Sequence, residues 1–295
     1  SKLSTAALSQ ALSDAKAIDS TLYTAESYQK LADAITAAQA VLDNSASTQE
    51  EIDAQAAALR SAIDALETVS KSDGWDGKTV SEPKQLDDTS VNITSAEELA
   101  WLAQQVSSGR SFTSVFLDQD IDLNGKAWTA IGTQAHPFSG TFYGNGHTVS
   151  NLLVTAGGSY QGLFGYLKGT ASEKAGVKDL NVQGVVKTTA NYVGGVVGGA
   201  LYTNIENVHS SVSVTVDRVN NKDYAATAGG VVGEMIYGSV YHCSNTGAIT
   251  APQQEKVGGV AGYASGTYIR ESYNTADITA GASTGGVVGH FIAYG

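Results

Sequence analysis

Residues 193–198 read Val-Gly-Gly-Val-Val-Gly, and nearly the same six residues return at 228–233, 257–262 and 284–289. A related copy, Gly-Leu-Phe-Gly at 162–165, precedes them. The final glycines of successive copies are 27 to 35 residues apart. A period of this length is typical of a repeat architecture, in which each unit buries its apolar side only against its neighbours.

A stricter spacing lies between the glycines. Each unit has a pair of Val or Ile residues nine positions apart, at 177/186, 205/214, 240/249 and 269/278. A further candidate for the interior stands three residues after the first member of each pair: Leu180, Val208, Cys243 and Ser272. The spacing inside the units is constant and the lengths between them vary, so we interpret the constant part as structure and the rest as loops.

The residue types of these units predict strands. Val, Ile, Thr and Tyr favour strands, and consecutive helix formers are few. Coils of about 30 residues, stacked about 4.8 Å apart, would complete each other's backbone hydrogen bonds and enclose a continuous core. We therefore predict a parallel β-helix over about 93–295, in which paired glycines permit tight corners or the close approach of neighbouring coils. The aligned Asn245 and Asn274 predict a stacked hydrogen-bonding ladder.

The first 70 residues have a different period. Apolar residues recur at three- and four-residue spacing, which predicts three amphipathic helices of about 20 residues in an antiparallel bundle with a thin core. Thr48 and Glu51 have the spacing of a capping box at the start of the third helix. Residues 71–92 break this period and predict a linker or an irregular entry segment, although Trp75 already favours the second domain.

Two resemblances follow from these patterns. Residues 1–70, including Tyr23-Thr24 and Ala46-Ser47-Thr48-Gln49, resemble a FIVAR module. FIVAR modules are small helical bundles of large bacterial surface proteins and secreted glycan-acting enzymes. The resemblance implies a spacer or weak binder in an extracellular setting.

Residues from about 75 to 295 resemble the region that carries GLUG repeats. The similar stretches are the run 138–149, the glycine copies and the segment 95–102, which predicts a helix that caps the open end. The resemblance implies a right-handed β-helix of bacterial cell-surface proteins, including adhesins and peptidases of the IgA-protease type, with no catalytic residues in the repeats. Because the chain stops soon after a glycine copy, we expect a fragment of a longer protein.

Composition restricts the partners. A formal charge of −12 would repel nucleic acid and anionic lipid, so neither is expected as a partner. No apolar run reaches the roughly 20 residues that a membrane helix needs, so membrane insertion is not expected either. The single cysteine, Cys243, cannot form an internal disulfide and is interpreted as a buried apolar residue. We expect a monomer.

Two groups of residues are candidates for a site. Asp118, Asp120 and Asp122 alternate, which predicts one solvated strand face; such a face could also bind calcium or supply a glycosidase acid/base pair. Tyrosine is abundant, and Tyr202 and Tyr237 each stand four residues after a repeat glycine, with Tyr263 and Tyr268 in the next unit.

A row of such rings could be a platform for sugars, and the alternative is ordinary strand packing. The favoured function is therefore a non-enzymatic, adhesin-like surface protein that presents a face to glycans or host glycoproteins. The alternatives are a purely structural stalk and the accessory region of a secreted glycan-acting hydrolase or of an IgA-protease-type peptidase.

Overall fold

The computed structural model describes residues 3–18, 20, 23, 25–66, 74–217 and 226–293. The chain divides into two compact units, Ser1–Ser72 and Asp73–Gly295, here called the helical unit and the solenoid. The predicted order of an α domain followed by a β domain is therefore confirmed. In the described residues no helix has the length and apolar character needed to cross a bilayer.

The helical unit consists of α1 (Ala6–Lys16), α2 (Ala25–Asp43) and α3 (Gln49–Asp64). Its core holds five large apolar side chains and a set of alanines: Leu8, Leu12, Leu31, Ile52 and Leu59, with Ala11, Ala15, Ala38 and Ala56. The predicted length is wrong for α1, which has only 11 residues. The apolar spacing of the first helix also predicts Leu22 as a buried residue, and Leu22 lies outside the described residues.

The predicted capping box at the start of α3 is confirmed. The Thr48 hydroxyl accepts a hydrogen bond from the Glu51 backbone N–H, and the Glu51 carboxylate accepts one from the Thr48 backbone N–H at 2.7 Å. These two bonds satisfy donors that the first helical turn leaves without partners. The bond from the Thr48 backbone, together with a bond from the Thr48 hydroxyl to the same carboxylate at 3.1 Å, lowers the pKa of the Glu51 carboxyl group.

The solenoid has about six turns and a single helix, α4 (Ala96–Ser107), among its described residues. Its strands are β1 (Lys84–Asp87), β2 (Ser90–Ile93), β3 (Ser114–Leu117), β4 (Ile121–Asp122), β5 (Thr141–Tyr143), β6 (Thr148–Val154), β7 (Tyr160–Gln161), β8 (Phe164–Lys168), β9 (Ala175–Thr188), β10 (Tyr192–Gly194), β11 (Val197–Val216), β12 (Thr227–Gly229), β13 (Val232–Tyr241), β14 (Ser244–Asn245), β15 (Ile249–Ala251), β16 (Lys256–Gly258), β17 (Ala261–Arg270), β18 (Tyr273–Asn274), β19 (Ile278–Ala280), β20 (Ser283–Gly285) and β21 (Val288–Ile292). Apart from the antiparallel hairpin β1–β2, the strand pairs are parallel.

The coils pair in a register that aligns the nine-residue pairs of the sequence. Val177, Ile205, Val240 and Ile269 occupy one column, and the second members of the pairs occupy another. The first three coils bury both members, and the fourth packs its pair, half-buried, against the same core. Cys243 is fully buried, as predicted, and burial raises the pKa of its thiol to about 12.

The two adjacent glycines of the repeated motif are required for different steric reasons. A Cβ on Gly194 would overlap the carbonyl oxygen of Val197 in its own coil, whereas one on Gly195 would overlap that of Gly230 in the next coil. The same two overlaps recur for Gly229 and Gly230. The first glycine therefore permits the corner, and the second permits the stacking of coils.

The entry region is more regular than predicted. Residues 74–92 are not a linker, because β2 pairs in parallel with β3 and the buried Trp75 packs against Trp128 with ring centroids 5.7 Å apart. The boundary of the solenoid therefore lies near residue 73 rather than 93. The predicted capping helix is α4, whose N-cap is Ser95 and whose apolar residues belong to the solenoid core.

Candidate binding surface

One outer surface of the solenoid carries two adjacent columns of side chains, here called the ladder face. The columns are set by the parallel register of β3, β5, β9, β11, β13 and β17. The first column is Ser114, Thr141, Gly176, Asn204, Ser239 and Tyr268, and the second is Phe116, Tyr143, Lys178, Glu206, Tyr241 and Arg270. The residues between the two columns point inward, because successive strand residues face opposite sides.

The last three coils of the ladder face surround an open recess of about 520 Å³. Its lining combines aromatic, amide, hydroxyl and charged groups: Asn204, Glu206, Ser239, Val240, Tyr241, Tyr268, Arg270 and Glu271. Tyr268 is 68% exposed, the largest exposure among the large apolar and aromatic side chains of the described residues. A small-ligand site of this volume is common, and its mixture of rings and hydrogen-bonding groups suits a polar ligand with apolar faces.

Contacts across the coils order the polar groups of the recess. The Ser239 hydroxyl donates to the Asn204 side-chain oxygen at 3.0 Å. The Glu271 carboxylate contacts the His242 ring and lies 3.5 Å from the Tyr241 hydroxyl. The rings of Tyr241 and His242 stack with centroids 4.1 Å apart. Tyr241 is therefore held from two sides.

The other half of the ladder face is paired within itself. Phe116 and Tyr143 stack with centroids 4.9 Å apart. Lys178 and Glu206 form an ion pair at 3.0 Å, and this bond raises the pKa of the Lys178 ammonium group. Adjacent coils thus pair with one another up to Glu206, which also lines the recess.

The four predicted tyrosines lie in three separate places. Tyr202 and Tyr237 stack one above the other, as predicted, with centroids 5.0 Å apart, and both have a left-handed backbone conformation. Tyr263 stacks on His290 in another column, under the ammonium group of Lys256. Of the four, only Tyr268 lines the recess.

Sequence reasoning missed the residues that stand beside Tyr268. Tyr241 and Arg270 immediately follow the inward residues Val240 and Ile269, so strand alternation already placed them on the outside. Each directly follows the first residue of a nine-residue pair, and this position was the signal in the sequence that could have identified them. The prediction used the distance of each tyrosine from a repeat glycine instead, and it therefore selected Tyr202 and Tyr237 at a corner of the coil.

The acidic run is not one strand face. β3 ends at Leu117 and β4 begins at Ile121, so the predicted alternation over Asp118, Asp120 and Asp122 is wrong. Each carboxylate accepts hydrogen bonds from a neighbouring coil: Asp118 from Asn92 at 2.7 Å, Asp120 from the backbone of Thr148 at 2.8 Å, and Asp122 from Asn151 at 2.8 Å.

These carboxylates join coils rather than converging on one point. The described part of the chain contains no group of three or more His, Cys, Asp or Glu residues that could hold a metal ion. The structure therefore gives no support to the calcium site or to the acid/base pair that we considered for this run.

A second aromatic cluster lies at another corner of the coils. Tyr160 contacts Tyr166 and stacks on Tyr192, with centroid distances of 4.7 and 4.6 Å. Burial raises the pKa values of Tyr160 and Tyr166, and the nearby Glu234 adds to both shifts. Burial also raises the pKa of Glu234 itself, and Lys256 opposes that shift. The rings fill the space over Gly199, where a Cβ would overlap Tyr160.

Comparison with known proteins identifies two segments of the chain. Residues 4–67 match the family model of the FIVAR domain, and residues 189–215 match that of the GLUG motif. These two matches suggest a region of an extracellular surface protein, and both domains are typical of non-catalytic regions.

Two individual proteins are similar to parts of the chain. Halomucin of Haloquadratum walsbyi is 39% identical over 98 residues, which is 33% of this chain and 1% of halomucin. The chain therefore spans about one hundredth of the curated relative that it matches. A crystal structure of a candidate immunoglobulin A1 protease from Bacteroides ovatus has 16% sequence identity and a TM-score of 0.33, with 76% of this chain and 86% of that chain covered.

Proposed function

We propose that this chain is a non-enzymatic, adhesin-like part of a bacterial cell-surface protein, in which the helical unit is a spacer and the solenoid presents a glycan-binding face. The observation that carries the proposal is the recess of the ladder face. Tyr241 and Tyr268 provide ring surfaces there, beside amide, carboxylate and guanidinium groups. Sugars have apolar CH faces that stack on aromatic rings and hydroxyl groups that pair with planar polar side chains.

The recess is a better sugar platform than the stacked pair that we predicted from the sequence. Tyr202 and Tyr237 each use one ring face against the other, and Lys174 lies 5.9 Å from the Tyr202 ring centroid. Tyr263 lies between a lysine and a histidine. Tyr268 has far more of its ring open to solvent. We therefore place the principal contact at Tyr268 and at the ring face of Tyr241 that its stacking with His242 leaves free, and we place Tyr202, Tyr237 and Tyr263 outside the platform, because they do not line the recess.

A glycan array followed by titration of the best ligands tests the proposal. We expect Tyr268→Ala and Tyr241→Ala to weaken binding at least tenfold, since the stacking surface is lost. Tyr237→Asn is the matched control, because asparagine tolerates the left-handed backbone conformation of this residue and only the ring is removed. The control should bind within about twofold of wild type.

Unchanged thermal unfolding of all three variants would exclude loss of fold as the cause. Absence of any glycan ligand would favour the structural stalk instead. Loss of binding in Tyr237→Asn alone would move the platform to the corner that carries Tyr202 and Tyr237.

One observation favours the alternative of an accessory region in a secreted hydrolase. Burial raises the pKa of the Glu234 carboxyl group, which lies beside the cluster of tyrosines. A raised carboxyl pKa is a property of general acids in glycosidases. Release of reducing sugar from a polysaccharide panel by wild type, and its loss in Glu234→Gln with Asp120→Asn as control, would establish this alternative.

A further inference from the structure

The two carboxylates that line the recess already have partners. Glu206 is paired with Lys178 at 3.0 Å, and Glu271 contacts the ring of His242. Arg270 differs from them, because none of the ion pairs formed by described residues includes it. Its guanidinium carbon instead lies 5.5 Å from the centroid of the Tyr268 ring.

This arrangement leaves a positive group available beside an open ring. The guanidinium group has five N–H donors in a planar fork that matches the two oxygens of a carboxylate. Contact with the Tyr268 ring restricts the position of the fork, so less conformational freedom is lost when a ligand binds.

The chain as a whole carries a formal charge of −12, so an anion would be repelled from most of its surface. At the recess, the ion pair with Lys178 offsets the charge of Glu206, and the contact with His242 offsets that of Glu271 only when the imidazole is protonated.

We propose that the recess binds a sugar that carries a carboxylate, with the guanidinium group of Arg270 on the carboxylate and Tyr268 and Tyr241 on the sugar ring. This proposal rests on the proposed glycan-binding function and adds the ligand class. The two parallel N–H···O bonds of such a pair are charge-assisted and are stronger than bonds to a neutral hydroxyl. A volume of about 520 Å³ is within the range of small-ligand sites.

Carboxylated sugars of two kinds provide this chemistry, and paired ligands distinguish them. Titration calorimetry would compare sialyllactose with lactose, and digalacturonic acid with its methyl ester. We expect wild type to bind at least one acidic ligand tenfold or more tightly than the neutral counterpart. Because the interaction is exposed, the preference should decrease at high salt.

Variants then separate the charge from the platform. Arg270→Gln should bind the acidic and neutral ligands equally, and Arg270→Lys should keep part of the preference, since an ammonium group lacks the fork. Lys187→Gln is the matched control. The Lys187 side chain is 63% exposed, pairs with Asp217 and lies opposite Thr215 of β11, away from the recess, so this variant removes the same charge at a distant position. This control should keep the wild-type preference.

The outcomes distinguish the two proposals. Tyr268→Ala should weaken acidic and neutral ligands alike, since it removes the platform. If wild type binds neutral sugars as tightly as acidic ones, or if Arg270→Gln keeps the preference, the carboxylate proposal is wrong while the glycan-binding function stands. If wild type binds none of the four ligands and no sugar of the array, both proposals are wrong.

Discussion

The helical unit and the solenoid bury their apolar residues in different ways. In the helical unit, contacts within and between three short helices enclose five large side chains and several alanines. In the solenoid, each coil completes the backbone hydrogen bonds of the next, and one core extends from Trp75 to Ala261. The difference indicates that packing of a few side chains limits the stability of the first unit, whereas the fit between neighbouring backbones limits that of the second.

The largest effect is expected where a side chain would separate two coils. A Cβ on Gly230 would overlap the carbonyl oxygen of Gly259 and the amide of Asn245. We expect Gly230→Ala to lower the free energy of unfolding of the solenoid by more than about 4 kcal/mol, because backbone has to move. Urea unfolding of chain 1–295, followed by the circular dichroism of its strands, measures this loss.

Gly286→Ala is the control for that substitution. Gly286 is the equivalent glycine of the last copy, and a Cβ there would have no atom within 4 Å. Its effect should be within about 0.5 kcal/mol. Equal effects of the two substitutions would contradict the stacking role of the second glycine.

The next largest effect concerns the core of the helical unit. Leu59 is fully buried, and we expect Leu59→Ala to cost about 3 kcal/mol through lost transfer energy and a cavity. Because this core is small, the substitution should unfold the helical unit at a lower temperature and leave the transition of the solenoid unchanged. Calorimetry would measure both transitions, with the exposed Arg60→Ala as control. A shift of the solenoid transition would show that the two units are coupled.

The structure confirms the predicted amide ladder, and we expect a smaller loss of stability when it is removed. The fully buried Asn245 donates to Asn274 at 2.8 Å and exchanges two hydrogen bonds with Gly247. Asn245→Ala would leave buried backbone groups without partners, at a cost of about 2 kcal/mol. Asn274→Ala should cost less, because its site is half-buried and water can replace the amide. The opposite order in urea unfolding would contradict this account.

The capping box of α3 gives a pH-dependent effect. We expect Thr48→Ala to destabilise the helical unit by about 1 kcal/mol at neutral pH. The folded-state pKa of Glu51 is lowered, first by its bond to the Thr48 backbone, so its stabilisation is present above the unfolded pKa and is lost as the pH falls through the folded value. Thr48→Ala keeps the backbone bond and removes the second cause, the bond from the Thr48 hydroxyl to the Glu51 carboxylate at 3.1 Å, so the difference between variant and wild type should decrease in acid. A difference that grows in acid would contradict it.

The smallest effect is expected for calcium. Because Asp118, Asp120 and Asp122 bond to separate partners, millimolar calcium or a chelator should shift the melting temperature of the solenoid by less than about 1 °C. A rise of several degrees that Asp120→Asn abolishes would reveal a site after all.

The inward residues were predictable because they share one environment. Val177, Ile205 and Val240 all belong to the apolar core, so alternation and spacing predict them. The three aspartates misled the prediction, because a run of alternating residues does not reveal where a strand stops. The hairpin of residues 84–93 was also missed, because the residues of β1 are all exposed and show no alternation of apolar and polar residues.

The sequence by itself determined the two classes of structure, the coil period, the buried columns, the capping box and the amide ladder. Each of these depends on the spacing of residues along the chain or on copies of one pattern, and both can be read directly from the sequence. Only the tertiary structure decided that Tyr241, Tyr268, Arg270 and Glu206 share one recess, and that Tyr202 and Tyr263 lie elsewhere. Neighbours on an outer surface are set by the register between coils and by the corners of each coil, because no common apolar environment constrains their identity.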